Sequence, residues 1–394
     1  MRVLHVNLST HFGEAELQTE HLIRALAAAT PMVQHLVCHK ESVLNQRLRN
    51  TERLMIHHTS HRWFNHNLPT VDLVHVHEPH GLGWAWWHKR RTGTDYVVTW
   101  RNAARLQDNK KNREYFESAS TAIAISRVIQ RHLLETSWCG VRRIPDSFIH
   151  LPNSAMNVTR LRGEFEGKFI IGHIGEANEK VKGQRVLLEA ARELRREMPD
   201  ALFLFIGDGP DLEKLKEESA DMENVQWAGE QKNLGDYLSV MNVFAYPARS
   251  EPFGTILLNA MDYQVPIVAS QVDGIPDLIQ NNRTGLLFPK AQPGPLADAL
   301  RQLYRDTGLR NQLAREAHGQ LKHFSLKAMV INHINLYRQW LMPDTPVETE
   351  TAETEASSPE ADKAPSEVAS PEVATSEEVE LDTPDTPQSN NGST

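Results

Sequence analysis

Two short stretches of the sequence combine a glycine turn with polar side chains at the start of a predicted helix. In residues 179–190, EKVKGQRVLLEA, Lys182 and Gly183 stand where a helix begins just past an apolar strand. In residues 251–261, EPFGTILLNAM, Gly254 opens an apolar helix that carries Asn259. Free N–H groups at a helix start favour anions, a lysine adds positive charge, and glycine lets a ligand approach the backbone. These stretches therefore predict binding of a phosphate or diphosphate.

Further glycine turns follow other apolar strands. Gly207 and Gly209 lie in FIGDGPDLEKL, and Gly274 and Gly285 lie in VDGIPDLIQNNRTGLLF. None of these turns completes the GxGxxG pattern of a dinucleotide site, and no acidic residue stands at the required distance after a first-strand turn. The sequence thus disfavours a nicotinamide-binding domain.

Histidines raise the question of a metal site. His75 and His77 share one face of a predicted strand in DLVHVHEPHG, with Glu78 next to them. No third ligand is evident from the sequence, so we expect core histidines and no bound metal. A second group lies in a predicted surface loop, where we expect fortuitous clustering: His57, His58, His61 and His66.

The stretch GLGWAWWHKRR, residues 81–91, places three tryptophans before four basic residues. Such a segment, Trp84 to Arg91, could lie at a lipid headgroup boundary, with rings at the interface and cations on phosphates. Alternatively, a helix packs its tryptophans into the core of the first domain, and the shortness of the apolar stretch favours this second interpretation.

Short apolar strands alternate with helical stretches along the chain, which predicts parallel sheets covered by helices. The pattern occurs twice, so we expect an α/β protein with two facing Rossmann-like, doubly wound domains and a ligand site in the cleft between them. The predicted parts are a first domain over 1–157, a linker over 158–168, a second domain over 169–324, a closing helix over 325–342 and a disordered tail over 343–394.

Composition supports this division. At 394 residues the chain has room for two domains. Residues 343–394 carry 14 of the 51 acidic residues and one of the 42 basic ones, so the rest of the chain has a net charge of +4. That value suits phosphate-bearing substrates and does not indicate a nucleic-acid binder. Two cysteines and no long apolar run predict a protein that is either free in the cytoplasm or peripheral at the inner face of a membrane.

The motifs KG, GDGP, EPFG, LLNAM, PIVAS, GIPDLI and TGLLF, in this order and spacing, make residues 1 to about 342 resemble the retaining glycosyltransferases of family 4, or group 1, which have the GT-B fold. The resemblance implies that the first domain binds an acceptor and the second a nucleotide sugar, UDP- or GDP-linked, without metal or other cofactor. It also implies that Lys182 contacts the donor diphosphate and that Glu251 binds the sugar hydroxyls. The donor site implied in this way comprises Gly13, Lys182, Gly183, Glu251, Phe253, Gly254, Thr255 and Asn259.

Four positions depart from the family pattern. Asn259 replaces a second glutamate, which in the family generally holds the ribose hydroxyls. Glu176 stands where an arginine is usual, and Glu14 replaces the second glycine of a pair that begins with Gly13. Arg101 stands where the family often has a histidine near the donor sugar, and we expect it to supply the positive charge missing at position 176.

The resemblance implies a retaining transferase that moves a sugar from a nucleotide diphosphate to a glycan or lipid-linked acceptor, in bacterial envelope polysaccharide synthesis. Glu251, Lys182 and Arg101 are its expected catalytic residues. The alternatives are a catalytically inactive GT-B protein that binds glycan or a partner and, with less support, a sugar-nucleotide epimerase.

Overall fold

The computed structural model describes residues 1–59, 61, 63 and 65–341. The first half of the chain forms a seven-stranded parallel sheet with the strand order β3-β2-β1-β4-β5-β6-β7. Its inner strands are buried on both faces because helices cover both sides of a parallel sheet, whereas the two edge strands are partly exposed. Their bounds are β1 Arg2–Asn7, β2 Val33–Cys38, β3 Leu54–His58, β4 Leu73–Val76, β5 Tyr96–Trp100, β6 Thr121–Ala124 and β7 Gly140–Arg143.

The connections between these strands carry five α-helices, and a short 3-10 helix, Pro79–Gly81, precedes the third. Ser42 and Asn109 cap the second and fourth helices, where each side chain accepts a bond from a backbone N–H of the first turn. The helices are α1 Glu14–Ala29, α2 Val43–Leu48, α3 Leu82–Thr92, α4 Lys110–Glu117 and α5 Arg127–Thr136.

The second half forms a six-stranded parallel sheet with the order β10-β9-β8-β11-β12-β13. Its strands are β8 Phe169–Ile174, β9 Ala201–Ile206, β10 Val225–Gly229, β11 Val243–Tyr246, β12 Ile267–Ser270 and β13 Leu286–Phe288. The remaining helices are α6 Ala155–Glu164, α7 Glu179–Lys182, α8 Gln184–Leu194, α9 Leu212–Glu218, α10 Leu234–Leu238, α11 Thr255–Asp262, α12 Ile275–Leu278, α13 Pro293–Arg305, α14 Thr307–Gly319 and α15 Leu326–Leu341, with a 3-10 helix at Leu321–Phe324.

The chain crosses between the two sheets twice, after β7 and after α14. The two crossing segments touch, because the N–H of Phe148 donates to the carbonyl of Phe324 over 3.1 Å. The second crossing brings α15 back to the first sheet, where it packs on α1. Tyr337 of α15 is fully buried and its hydroxyl lies 2.6 Å from Nδ1 of His75. The closing helix is therefore part of the core of the first domain.

The two parallel sheets confirm the predicted fold class of two Rossmann-like α/β domains. Most of the predicted linker, 158–168, lies in α6. The carboxylate of Asp236, in the second half, fixes the N-terminal end of this helix, because it accepts bonds from the N–H of Ser154 and, over 2.9 Å, from the Asn157 amide. The predicted disordered tail, 343–394, lies outside the described residues. Among the helices of the described part, none is long and apolar enough to cross a membrane.

Candidate functional site

Lys182 is held in place by a backbone contact that requires glycine. Gly183 ends α7 with a φ of +66°, and a Cβ at this position would lie 2.3 Å from the carbonyl oxygen of Pro247. The N–H of Arg249 donates to the carbonyl of Val181 over 2.7 Å. The helix that carries Lys182 is thus fixed against the loop that follows β11.

Glu251 lies in that same loop, and a second turn orients it. The carboxylate of Asp273 accepts bonds from the Ser250 hydroxyl at 2.7 Å and from the Glu251 N–H at 2.9 Å. The N–H of Gly274 donates to the carbonyl of Glu251 over 3.0 Å, and a Cβ on Gly274 would lie 2.1 Å from the carbonyl of Pro252. The VDG turn and the EPF turn therefore pack backbone against backbone, which fixes the Glu251 main chain.

Lys182, Tyr246 and Glu251 form a three-membered polar cluster. The Lys182 ammonium lies 2.7 Å from Oε2 of Glu251 and 2.8 Å from the Tyr246 hydroxyl, which donates to the same carboxylate oxygen over 2.6 Å. Burial and the neighbouring Glu251 carboxylate raise the pKa of Tyr246 well above its ordinary value, so the phenol stays protonated. The cluster presents a partly exposed cation that is oriented by a buried acid.

The start of α11 lies beside this cluster. Gly254 precedes the helix with a φ of +94°, and the buried Phe253 directs its N–H towards Oε1 of Glu251 at 3.5 Å. Thr255 is the first helical residue, and its hydroxyl bonds the carboxylate of Glu14, the first residue of α1. A contact between the two domains therefore closes over the N-terminus of α11.

Gly13 lies before α1 on the opposite wall. Its N–H donates to Oε2 of Glu16 over 3.0 Å, and the amide of Asn7 donates to the other oxygen over 3.2 Å. Glu16 is buried, as expected of a carboxylate that caps its own helix. The backbone of the predicted Gly13 loop is thus already ordered by a carboxylate.

Arg101, at the end of β5, is committed to a buried acid. Its guanidinium grips Asp146 with two bonds of 2.9 Å each and donates to the carbonyl of His77 over 3.0 Å. Such a bidentate pair neutralises most of the arginine's charge. The structure places this expected catalytic residue in the first domain, where Asp146 fixes the orientation of its guanidinium group.

Asn259 is buried in α11 and its amide donates to the carbonyl of Ile149 over 2.8 Å. Ile149 belongs to the first crossing segment, so this amide joins α11 to the connection between the domains. A glutamate at this position has no N–H to make that bond. The exchange of glutamate for asparagine therefore has a structural use in this chain.

His75 and His77 meet a third histidine that the sequence did not suggest. Nδ1 of His5 lies 2.9 Å from Nε2 of His77, and Nε2 of His5 lies 3.0 Å from the Gln34 carbonyl oxygen. Within the described residues, His5, His75 and His77 form a group of three buried imidazoles whose geometry could hold a metal ion. Burial lowers the pKa of His5 to about 3, so it is neutral. The absence of a metal in this protein stays a prediction.

The tryptophans of α3 are divided between the core and the surface. Trp84 is fully buried, so it cannot reach a lipid, whereas Trp86 and Trp87 are half-buried. The guanidinium of Arg90 lies 4.7 Å from the centre of the Trp86 ring. Of the two interpretations of this segment, packing into the core of the first domain is therefore the one that Trp84 follows.

Tyr246 and Asp273 were missed as site residues. Tyr246 is the last residue of β11 and Asp273 lies just after β12, so both are at carboxyl ends of strands of the second sheet, where parallel sheets bind their ligands. A polar side chain that interrupts an apolar strand end, as in VFAYPA, is the signal that could have identified Tyr246.

Comparison with known proteins gives a match to the family described as glycosyl transferases group 1 over residues 160–320. The alpha-D-kanosaminyltransferase of Streptomyces kanamyceticus is 33% identical over 141 residues, which are 34% of this chain and 36% of the relative. The N-acetyl-alpha-D-glucosaminyl L-malate synthase of Bacillus anthracis is 30% identical over 196 residues, 48% of this chain and 51% of the relative. The aligned part of the chain thus spans a third to a half of these relatives.

Among solved structures, HepE of Anabaena in complex with UDP superposes with a TM-score of 0.74 at 16% identity, covering 85% of this chain and 99% of that one. The same protein has been crystallised with UDP-glucose, at a TM-score of 0.71 and 17% identity. At this identity the likeness shows the fold, which includes both sheets and the cleft between them.

Proposed function

Because residues 160–320 place the chain in the group 1 glycosyltransferases and its fold is GT-B, we propose that it transfers a sugar from a nucleotide diphosphate to a glycan or lipid-linked acceptor. The resemblance that its motifs indicated is thereby confirmed at the level of family and fold. The retaining course of the reaction and a setting in bacterial envelope polysaccharide synthesis are further parts of the proposal.

One observation carries it: the Lys182 ammonium is oriented by Glu251 and Tyr246 beside the start of α11. Transfer of a sugar from a diphosphate develops negative charge on the leaving group, so a pre-placed cation and helix N–H groups stabilise the transition state. Lys182 and the amides from Phe253 to Thr255 take this role in the proposal, without a metal ion. Glu251 then accepts bonds from the donor sugar hydroxyls.

The donor is tested by thermal unfolding of the full chain with UDP-glucose, GDP-mannose and ADP-glucose. A donor that binds only the folded protein adds roughly 2.7 kcal/mol at 100 times its dissociation constant. We expect a shift with a UDP- or GDP-sugar that is lost in Lys182→Ala. Lys180→Ala is the matched control, since Lys180 lies on the same helix and is exposed. No shift with any nucleotide would instead favour an inactive GT-B protein that binds glycan or a partner, whereas a full shift in Lys182→Ala would refute the contact of Lys182 with the donor.

Turnover separates catalysis from binding. Glu251→Gln keeps a side chain of the same shape that can still accept from Lys182 and Tyr246. We expect it to fold and bind the nucleotide while release of UDP or GDP falls at least about 100-fold, as on loss of one strong transition-state contact. Wild-type turnover should persist in EDTA; its loss there would refute the metal-independent mechanism.

We also propose that a lipid-linked acceptor brings the end of α3 to an anionic membrane surface at the cytoplasmic face. Arg90 and Arg91 are exposed there, next to the half-buried Trp87. Co-sedimentation with vesicles that contain anionic lipid, but not with neutral ones, is expected and should be lost in Arg90→Ala/Arg91→Ala. Equal sedimentation of this variant and the wild type would contradict the contact.

A further inference from the structure

A cavity of about 470 Å³ opens to solvent on the first domain, between α4 and α5. This volume lies within the range of small-molecule sites, about 300–1,000 Å³. All of the residues that line it lie between positions 105 and 138. The described residues around it include none of those assigned to donor binding, so the cavity is a feature separate from the donor site.

One wall of the cavity is aromatic. Trp138, between α5 and β7, is half-buried and lines the cavity beside Leu106. Its indole packs against the ring of Phe116, with 6.3 Å between the ring centres, and the Arg113 guanidinium lies 5.7 Å from the centre of the indole. The ring is therefore held in place at the wall of a cavity whose other residues are mostly polar. An indole offers a flat apolar surface, onto which the C–H face of a sugar ring packs.

Two pairs of an arginine and an acid line the same cavity. Arg113 donates to both carboxylate oxygens of Asp108 over 3.0 Å each, and the Arg105 guanidinium lies 3.2 and 3.5 Å from the two oxygens of Glu135. All four side chains are exposed, so the pairs contribute little to folding stability. Each pair does place planar N–H donors beside carboxylate acceptors. Sugar hydroxyls both donate and accept, so neighbouring hydroxyls match this arrangement.

The charge of the lining distinguishes between classes of ligand. The two guanidinium groups of Arg105 and Arg113 face three carboxylates, because Glu117 lines the cavity as well. The cavity therefore has no excess of positive charge among its acidic and guanidinium groups. A phosphate or a nucleotide needs such an excess, whereas a neutral ligand with many hydroxyls does not.

We propose that this cavity binds a neutral oligosaccharide. Under the proposed function, on which this step rests, the oligosaccharide is the part of a glycan acceptor that lies remote from the reacting hydroxyl. Arg105 is four residues beyond Arg101, so the Cα atoms of these two residues are at most about 14 Å apart, a distance that an oligosaccharide spans. The segment between them is fixed to α5, since Nδ1 of His132 lies 3.0 Å from the carbonyl oxygen of Ala103. The cavity thus holds a defined position relative to the cleft.

The test is binding of the full chain to an array of immobilised oligosaccharides, both neutral ones and sialylated or sulfated ones. The neutral oligosaccharide that binds most strongly is then titrated calorimetrically. We expect binding to neutral oligosaccharides and not to the anionic ones. Trp138→Ala removes the aromatic wall and Arg105→Met removes one guanidinium group, so each should weaken binding at least about tenfold. Trp340→Ala, which changes an exposed tryptophan of α15, is the control and should bind as the wild type does.

Arg105 is exposed, so Arg105→Met tests the cavity even if Trp138→Ala fails to fold. No binding to any neutral oligosaccharide, a preference for the anionic ones, or full affinity in either folded variant overturns the proposal. The donor-induced thermal shift should be the same in Arg105→Met as in the wild type, because the cavity lies outside the donor site. Oligosaccharide binding without any donor shift would overturn the proposed function but not the cavity. A donor shift without oligosaccharide binding would overturn the cavity alone.

Discussion

The ion pair between Lys182 and Glu251 allows a structural role to be separated from a chemical one. Replacing Lys182 by Met leaves Glu251, whose side chain is 11% exposed, without its cation. A buried carboxylate that loses its partner costs more than the pair itself contributes, since its desolvation is no longer compensated. Changing Glu251 to Gln in the same protein removes that uncompensated charge.

The magnitude follows from the geometry. At 2.7 Å and an effective dielectric of about 20, the Coulomb attraction is about 6 kcal/mol before desolvation is subtracted. Losing one partner of a buried pair costs about 3–5 kcal/mol, and Lys182 retains some contact with water. We therefore expect Lys182→Met to lower the free energy of unfolding by about 3 kcal/mol and the double variant Lys182→Met/Glu251→Gln by about 1 kcal/mol.

The assay is equilibrium urea unfolding of the full chain followed by far-ultraviolet circular dichroism, with the midpoints of the same transition compared. Lys180→Met serves as the control and should stay within about 0.5 kcal/mol of the wild type, as exposed substitutions do. The double variant should regain stability but not sugar transfer, because the cation for the leaving group is still missing. Additive losses in the double variant, or a neutral Lys182→Met, would refute the claim that the two charges stabilise each other.

Three further outcomes are expected. Asn259→Glu, which restores the residue usual in the family, should lower the free energy of unfolding by about 1–2 kcal/mol, because the bond to the Ile149 carbonyl is lost. An unchanged urea midpoint would show that this bond is dispensable. Gly183→Ala should lower the free energy of unfolding by about 1–3 kcal/mol and reduce donor-induced thermal stabilisation, since the φ of +66° and the Pro247 carbonyl exclude a Cβ at this position. An unchanged donor-induced shift would contradict the role of Gly183 in positioning Lys182. Desolvation raises the pKa of Glu14 from 4.5 to about 7, which contributes stability below pH 4.5 that is lost as pH rises through about 7. The melting temperature of Glu14→Gln, relative to that of the wild type, should therefore be higher at pH 8 than at pH 5. Equal differences at the two pH values would be inconsistent with the raised pKa.

The sequence was sufficient for the fold because apolar strands and their glycine turns report on local structure. Parallel strands need burial on both faces, and stretches such as ALFLFIGDG show this directly. Lys182 and Gly254 were also accessible, since each stands in a glycine turn at a predicted helix start, and the family resemblance added Glu251. These residues do converge at the carboxyl edge of the second sheet.

The partners of those residues could not be read from the sequence. Glu14 and Thr255 are 241 positions apart, and their bond depends on how the domains face each other. Arg101 and Asp146 pair across strand ends, so the charge expected of Arg101 is taken up by an acid that no motif marks. Likewise, Asn259 occupies the position of the glutamate that generally holds the ribose hydroxyls in the family, but its amide N–H donates to a backbone carbonyl.

The first crossing segment has a mechanical consequence. Ser147 is held by Gln18 of α1, which accepts its N–H over 3.1 Å and donates to its carbonyl over 2.7 Å, whereas Ile149 is held by Asn259 of α11. The first domain therefore binds the segment just before Phe148, and the second domain binds it just after Phe148. If the domains rotate during a catalytic cycle, we expect the change in backbone torsions to lie around Phe148 and beside Phe324, whose carbonyl accepts the Phe148 N–H. A small change at these two residues would then alter the width of the cleft.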